Sequence, residues 1–278
     1  MKVKLKILSG LILVAAITAT GYAWATPSAG FQEINGEIFD DWQVCRTRVS
    51  GEDGFYQVTE TTFRPVIAFE SLGKNAGLAC NMGEKFADNY PDEMQRAEEI
   101  FHFVRDRVRY TPDKDQFNRD EFALNADELA FTIEQKGIGY GDCEDSAILL
   151  ATMYKGAGYR SALALAPGHT AALVYLPGYK KAATVFELDG ESGWVWAEAT
   201  ARNNPLGWIP KELANRKIAA YEITEEEATP IKPTKAPAVA TADAGASAGA
   251  GAGTSSLPFP FLGVIGLFWF LSMFRRRR

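Results

Sequence analysis

Residues 137–156 read GIGYGDCEDSAILLATMYKG. Glycines at 137, 139 and 141 mark a turn, and the turn delivers the chain into Asp142-Cys143-Glu144-Asp145. An apolar run from Ala147 to Tyr154 follows, and Gly156 and Gly158 end it. That run is apolar on nearly every face, so a helix over Cys143–Lys155 is expected at the centre of the fold, buried all round. Asp142 suits its N-cap, and Asp145 stands three residues on, where a carboxylate reaches back to the cap's N–H. Cys143 therefore falls in the first turn. There the helix dipole and unpaired N–H groups favour a thiolate, while the charges of Asp142, Glu144 and Asp145 oppose it. A thiol in this position needs an imidazole to become a nucleophile.

Only two histidines are available. His102 falls on a helix expected over Asp92–Val108, whose apolar stripe is Met94, Ala97, Phe101, Val104 and Val108. Its own neighbours three and four residues away are Glu98, Glu99, Arg105 and Asp106, the polar face. His169 follows Pro167-Gly168 and opens an apolar strand, HTAALVYL. A catalytic imidazole also needs an acceptor for its second nitrogen. Glu198, at the end of the aromatic run Trp194–Ala199, is the candidate, because a carboxylate in such a run is buried and needs a partner. Taken singly, each residue has a plainer reading: a core cysteine, a satisfied histidine, a structural ion pair. The case for chemistry rests on the three together.

Outward from the motif, a second helix is expected over Ala126–Gln135, and strands over Arg160–Ala166, His169–Leu176, Ala183–Leu188 and Trp194–Ala199. Helices followed by antiparallel strands make an α+β domain. The loop holding Asp113, Asp115, Asn118 and Asp120 lacks the glycine and final glutamate of a calcium loop and reads as solvated. Upstream, Phe31–Phe69 reads as a small β-rich extension, with Phe55–Phe63 its best strand.

Gly139–Asp145, followed by an apolar helix, resembles the nucleophile motif of the transglutaminase-like superfamily. Further similar elements occur in order: a helix ending in Val104–Tyr110, the Gly158-Tyr159-Arg160 step into a strand, His169 opening a strand, and tryptophans before Glu198-Ala199-Thr200. The resemblance spans Pro91 to Pro210. It implies a papain-like core, with a central nucleophile helix packed on an antiparallel sheet and Cys143, His169 and Glu198 as the catalytic triad. It further implies an acyl-enzyme formed at an amide or ester carbonyl, with the backbone N–H of Cys143 contributing to the oxyanion hole. This chain departs from the pattern in one respect: the family usually has Asp where Glu198 stands.

Both ends of the chain read as membrane signals. Met1–Ala25 has an export signal's lysines (Lys2, Lys4, Lys6), apolar stretch and Ala23-Trp24-Ala25 cleavage pattern; an uncleaved anchor helix is the alternative. Residues 26–90 are the expected extension, 91–223 the catalytic domain, and 224–256 a Pro/Ala/Gly-rich linker. Residues 257–274 are apolar and uncharged, a transmembrane or sorting segment, before the cytoplasmic cluster Arg275–Arg278. Of the three cysteines, Cys45 and Cys80 are the natural disulfide pair, which leaves Cys143 free. Net charge is −6, with no basic stripe for nucleic acid. No cofactor motif occurs, and zinc would find only Cys143 and His169 as ligands. The expected function is an exported, surface-attached cysteine enzyme acting on amide bonds of proteins or peptides, by hydrolysis or transamidation. The alternative is a non-catalytic module that binds surface proteins or polymers.

Overall fold

The computed structural model describes residues 30–40, 45–47, 56–58, 63–65, 77–166, 169–214, 218–223 and 238–242. The segments 1–25 and 257–278, expected at the membrane, lie outside the described residues, as does the Pro167-Gly168 turn. Among the described residues no helix is long and apolar enough to cross a membrane.

Among the described residues, five helices build one layer. They are α1 (Gly77–Asn89), α2 (Glu93–Arg107), the short α3 (Asp113–Gln116), α4 (Ala126–Lys136) and α5 (Cys143–Gly156). Local chemistry accounts for most of their ends. Asp92 caps α2 by accepting from the Gln95 N–H at 2.8 Å, and Asn125 and Glu128 close a capping box on α4. Every residue of α5 from Glu144 to Tyr154 is buried, as a helix apolar on all faces requires.

Helix α1 lies in the stretch expected to be a β-rich extension. Its cap is not local: the Leu78 and Ala79 N–H groups donate to the Asp127 carboxylate of α4, at 3.1 and 2.9 Å. It crosses α5 backbone to backbone. A Cβ on Gly83 would meet the Met153 carbonyl oxygen at 2.0 Å, and one on Gly156 the Cys80 carbonyl oxygen at 2.2 Å.

The glycine-rich turn expected over 137–141 divides in two. Gly137 caps α4 at φ 77°. Gly139–Gly141 is strand β6, paired parallel with β5 (Val108–Tyr110) directly after α2. This pairing sets the chain that enters Cys143 beside the chain that leaves α2.

The second layer is a closed antiparallel barrel in the order β10-β8-β7-β11-β12-β9. Its strands are β7 (Ser161–Ala166), β8 (His169–Tyr175), β9 (Val185–Leu188), β10 (Glu191–Ala197), β11 (Ile218–Glu222) and β12 (Ala238–Ala242). The alternation of strand side chains divides the core. Leu163, Ala172, Val174, Val195 and Ala197 face the helices. Ala162, Ala164, Leu173, Phe186, Trp194 and Trp196 fill the barrel, where small alanines make room for two fully buried tryptophans. Strand β12 falls within residues 224–256, the expected linker. Its residues pair with both β11 and β9, because a ladder between two strand edges needs backbone groups rather than large side chains.

At the N-terminal side, β1 (Phe31–Ile34) and β2 (Glu37–Asp40) form a hairpin across Asn35-Gly36, both at positive φ. Tyr56–Val58 and Phe63–Pro65 pair as β3 and β4. The expected disulfide is absent: no S–S bond joins Cys45 to Cys80. Cys45 bridges to Phe39 in the N-terminal segment, whereas Cys80 sits on α1 with its thiol toward the Thr152 carbonyl of α5 at 3.9 Å.

Candidate active site

Cys143 is the first residue of α5. Asp145 anchors that start. One carboxylate oxygen accepts from the Asp142 N–H at 3.1 Å, and the other from the Leu124 N–H at 2.7 Å. The carboxylate expected to reach back thus also ties the helix to the loop before α4. The Cys143 thiol donates to Glu144 Oε2 at 3.2 Å, and the Thr170 backbone N–H points at its sulfur. Burial, then the carboxylates of Glu144 and Asp142, push this thiol well above its ordinary pKa, and the Thr170 N–H only partly opposes them.

His169 opens β8 and is buried, with its Nε2 bound to the Glu198 carboxylate. The register of β8 on β10, Ala172 opposite Ala197, carries the start of one strand to the end of the other and so brings the pair together. Glu198 Oε1 accepts from the backbone N–H of Thr200 at 3.1 Å and from its hydroxyl. Burial would raise the Glu198 carboxyl, but the His169 imidazole and the two Thr200 donors outweigh it and hold the carboxyl below its usual range. The longer arm of glutamate, in place of the usual aspartate, still reaches the ring. Asn204 donates to the Glu198 carbonyl oxygen at 2.6 Å, and Arg105 to the Asn204 carbonyl at 3.0 Å, which binds the following loop to α2. His102 stays on α2, half-buried.

Sequence reading missed what lies beneath the thiol. Asp113, assigned to a solvated loop, is only 2% exposed. It joins Glu121, Asp142, Glu144 and Asp145 in one acidic cluster. Burial first, then Asp142, pushes Asp113 up to about 8; burial and the neighbouring carboxylates push Glu144 and Asp145 well above their ordinary values. The only signal in the chain was the run of acids itself, and such runs are ordinarily solvated. Tyr110, opposite Gly141 in the parallel pair, was missed too. Its side chain is half exposed, yet partial desolvation and the neighbouring Cys143, Asp142 and Glu144 raise its phenol.

Residues 81–213 match the family model of the transglutaminase-like superfamily. This stretch is a transglutaminase-like domain. The match begins inside α1, ten residues before the point where the motifs suggested, and so takes in the helix that crosses α5. No curated protein matches the chain significantly. A transglutaminase-like domain is, in general, a setting for cysteine-nucleophile chemistry at amide bonds. In this one, the strand that carries the histidine also supplies the N–H at the cysteine's sulfur.

Proposed function

We propose that the protein is a cysteine-nucleophile enzyme that acts on amide bonds of proteins or peptides through an acyl-enzyme. The observation that carries the reading is the buried His169–Glu198 pair, set on the strand whose next residue, Thr170, turns its N–H toward the Cys143 sulfur and favours the thiolate. With Nε2–H held by Glu198, Nδ1 carries the lone pair that takes the thiol proton. The thiolate attacks the substrate carbonyl carbon, and the carbonyl π electrons move to oxygen. The Cys143 N–H, at the helix start, faces that oxyanion. Collapse expels the amine, which takes its proton from the imidazolium and leaves a thioester. Water or a second amine then attacks the thioester, giving hydrolysis or transamidation and restoring the thiol.

Export and attachment at the cell surface belong to the same proposal, and they rest on the signals in 1–25 and 257–278. Labelling of intact cells by a membrane-impermeant amine reagent tests them; protection of the chain until lysis contradicts them. A second reading, a non-catalytic module binding surface proteins or polymers, draws on one observation: the thiol donates to Glu144, and burial with the neighbouring carboxylates raises its pKa.

Alkylation separates the two readings. Iodoacetamide rates at Cys143 are measured against pH on the purified full chain and on His169→Ala. Catalysis predicts labelling near pH 6–7 that falls on the order of 100-fold without the imidazole. Labelling that is slow below the ordinary thiol range and indifferent to His169 would leave the binding module.

A further inference from the structure

We propose that strand β12 turns the catalytic rim of the barrel toward the membrane, which makes the substrates of this enzyme membrane-proximal segments of proteins attached at the same surface. The inference rests on the proposed function, from which it takes Cys143 as the nucleophile and 257–274 as the membrane segment.

Strand directions locate the rim. Strand β8 begins with His169, so it starts at the end of the barrel beside Cys143. Every pair of neighbours around the barrel is antiparallel. Strands β7 and β10 flank β8 and therefore end at that rim, with Ala166 opposite His169 and Glu198 directly after β10. Strands β11 and β9, one step further round on either side, begin there. Strand β12 lies between those two and ends there, at Ala242.

Without β12 the tail would leave from the other end. Strand β11 runs away from the rim and finishes at Glu222, opposite Ala162 near the start of β7. The five residues of β12 carry the chain back along the barrel to the end that holds His169 and Glu198. Ladders to β11 on one side and β9 on the other hold the strand there.

The length of chain beyond β12 turns this exit point into an orientation. Fourteen residues, 243–256, separate β12 from the apolar segment. An Ala/Gly/Ser-rich chain of that length spans about 20 Å on average as a coil, and at most about 50 Å fully extended. A domain of about 190 residues is roughly 40 Å across. The mean tether is thus about half the domain's width, and turning the far end of the barrel to the bilayer would require drawing the tether out along the domain's side. The rim that the tether leaves therefore stays nearest the bilayer. Amide bonds within about 20–50 Å of the membrane surface come within its reach.

The test uses the full chain in vesicles of phosphatidylcholine and phosphatidylglycerol. A genetically encoded azido amino acid carries a donor dye, in place of Arg202 in the exposed loop after Glu198 or of Ser192 at the exposed start of β10. The acceptor dye is on lipid headgroups. A strand of seven residues is about 23 Å long, and with barrel tilt the two positions differ in height by about 15–20 Å. Energy transfer from position 202 is therefore expected to exceed that from 192 roughly twofold. Ala240→Pro, which removes a ladder donor from β12, should bring the two transfers together. A Gly/Ser insertion of about 40 residues after Ala242 leaves β12 in place; it should have the same effect and should slow labelling of Cys143 by a headgroup-borne iodoacetamide about eightfold relative to soluble iodoacetamide. Equal transfer from the two positions, or more from 192, in a chain that alkaline carbonate does not extract would overturn the proposal and leave the anchor standing. Extraction by carbonate would overturn the anchor and the proposal with it. The expected transfer with a Cys143 that neither reagent labels would keep the orientation but overturn the nucleophile, and with it the substrate class.

Discussion

Glu198 concentrates the chemistry of the site in one carboxylate. One oxygen holds the His169 ring and the other takes both Thr200 donors. Glu198→Gln keeps the shape and removes the charge, so cysteine alkylation at neutral pH should fall on the order of 100-fold. Glu198→Asp, one methylene shorter, should lose nearly as much, because Thr200 fixes the backbone at the longer reach. The sign of the pH effect follows from the depressed carboxyl. Its folded pKa lies below the unfolded one, so its contribution to stability is present above the unfolded value of 4.5 and is lost as pH falls through the folded value. Urea midpoints measured from pH 7 downward should show wild type losing stability faster than Glu198→Gln at the acid end. At this scale the candidates Cys143, His169 and Glu198 could be named because few residue types can do this work and the chain holds only two histidines, and the structure sets His169 against Glu198. Asp113 was not legible: nothing adjacent in sequence distinguishes it from Asp115 or Asp120, and only burial does.

Among the elements, α5 stands out as the one whose neighbours approach most closely. Gly83 of α1 and Gly156 of α5 allow the two backbones to meet. In an isolated helix, Gly→Ala stabilises by about 1 kcal/mol. Here Gly83→Ala would drive its methyl to 2.0 Å from a backbone carbonyl, so the sign should reverse, with a loss of about 1–3 kcal/mol or more. Thermal melts of Gly83→Ala and Gly156→Ala check this, and stabilisation by either would refute the tight crossing. The periodic helix over 93–107, the α4 capping box and strands β7 to β10 all announce themselves within a few residues. Helix α1 does not, since its cap, Asp127, lies on another helix. Strand β6 does not either, since glycines read as a turn until β5 lies alongside.

Across the whole molecule, two features join the transglutaminase-like domain to sequence outside its family match. Arg46 is 1% exposed, bonded to Asp40 and Glu128 at 2.7 Å each and to the Ala123 carbonyl at 2.9 Å. It locks the N-terminal hairpin onto α4 and the loop that holds Asp145. Arg46→Met should cost about 3–5 kcal/mol by leaving two buried carboxylates without it, and adding Glu128→Gln should recover part of the loss in a double-mutant cycle by urea denaturation. Beyond the match on the other side, β12 closes the barrel. A chain ending at residue 237 would expose the edges of β9 and β11, so it should melt lower and self-associate on gel filtration. An unchanged Tm would mean that β12 contributes no stability.

The sequence by itself determined the buried helix that Cys143 opens, the candidate histidine and acid, and an α+β order of elements. These are set by period, capping and residue chemistry within short windows. Tertiary structure alone decided the rest: the closure of the sheet into a barrel by a strand from a low-complexity stretch, the absence of a Cys45–Cys80 disulfide, the docking of α1, and the gathering of five acids under Cys143. Each of these depends on which distant backbones and side chains meet and on what is removed from water when they do, and neither is written in the spacing of neighbours.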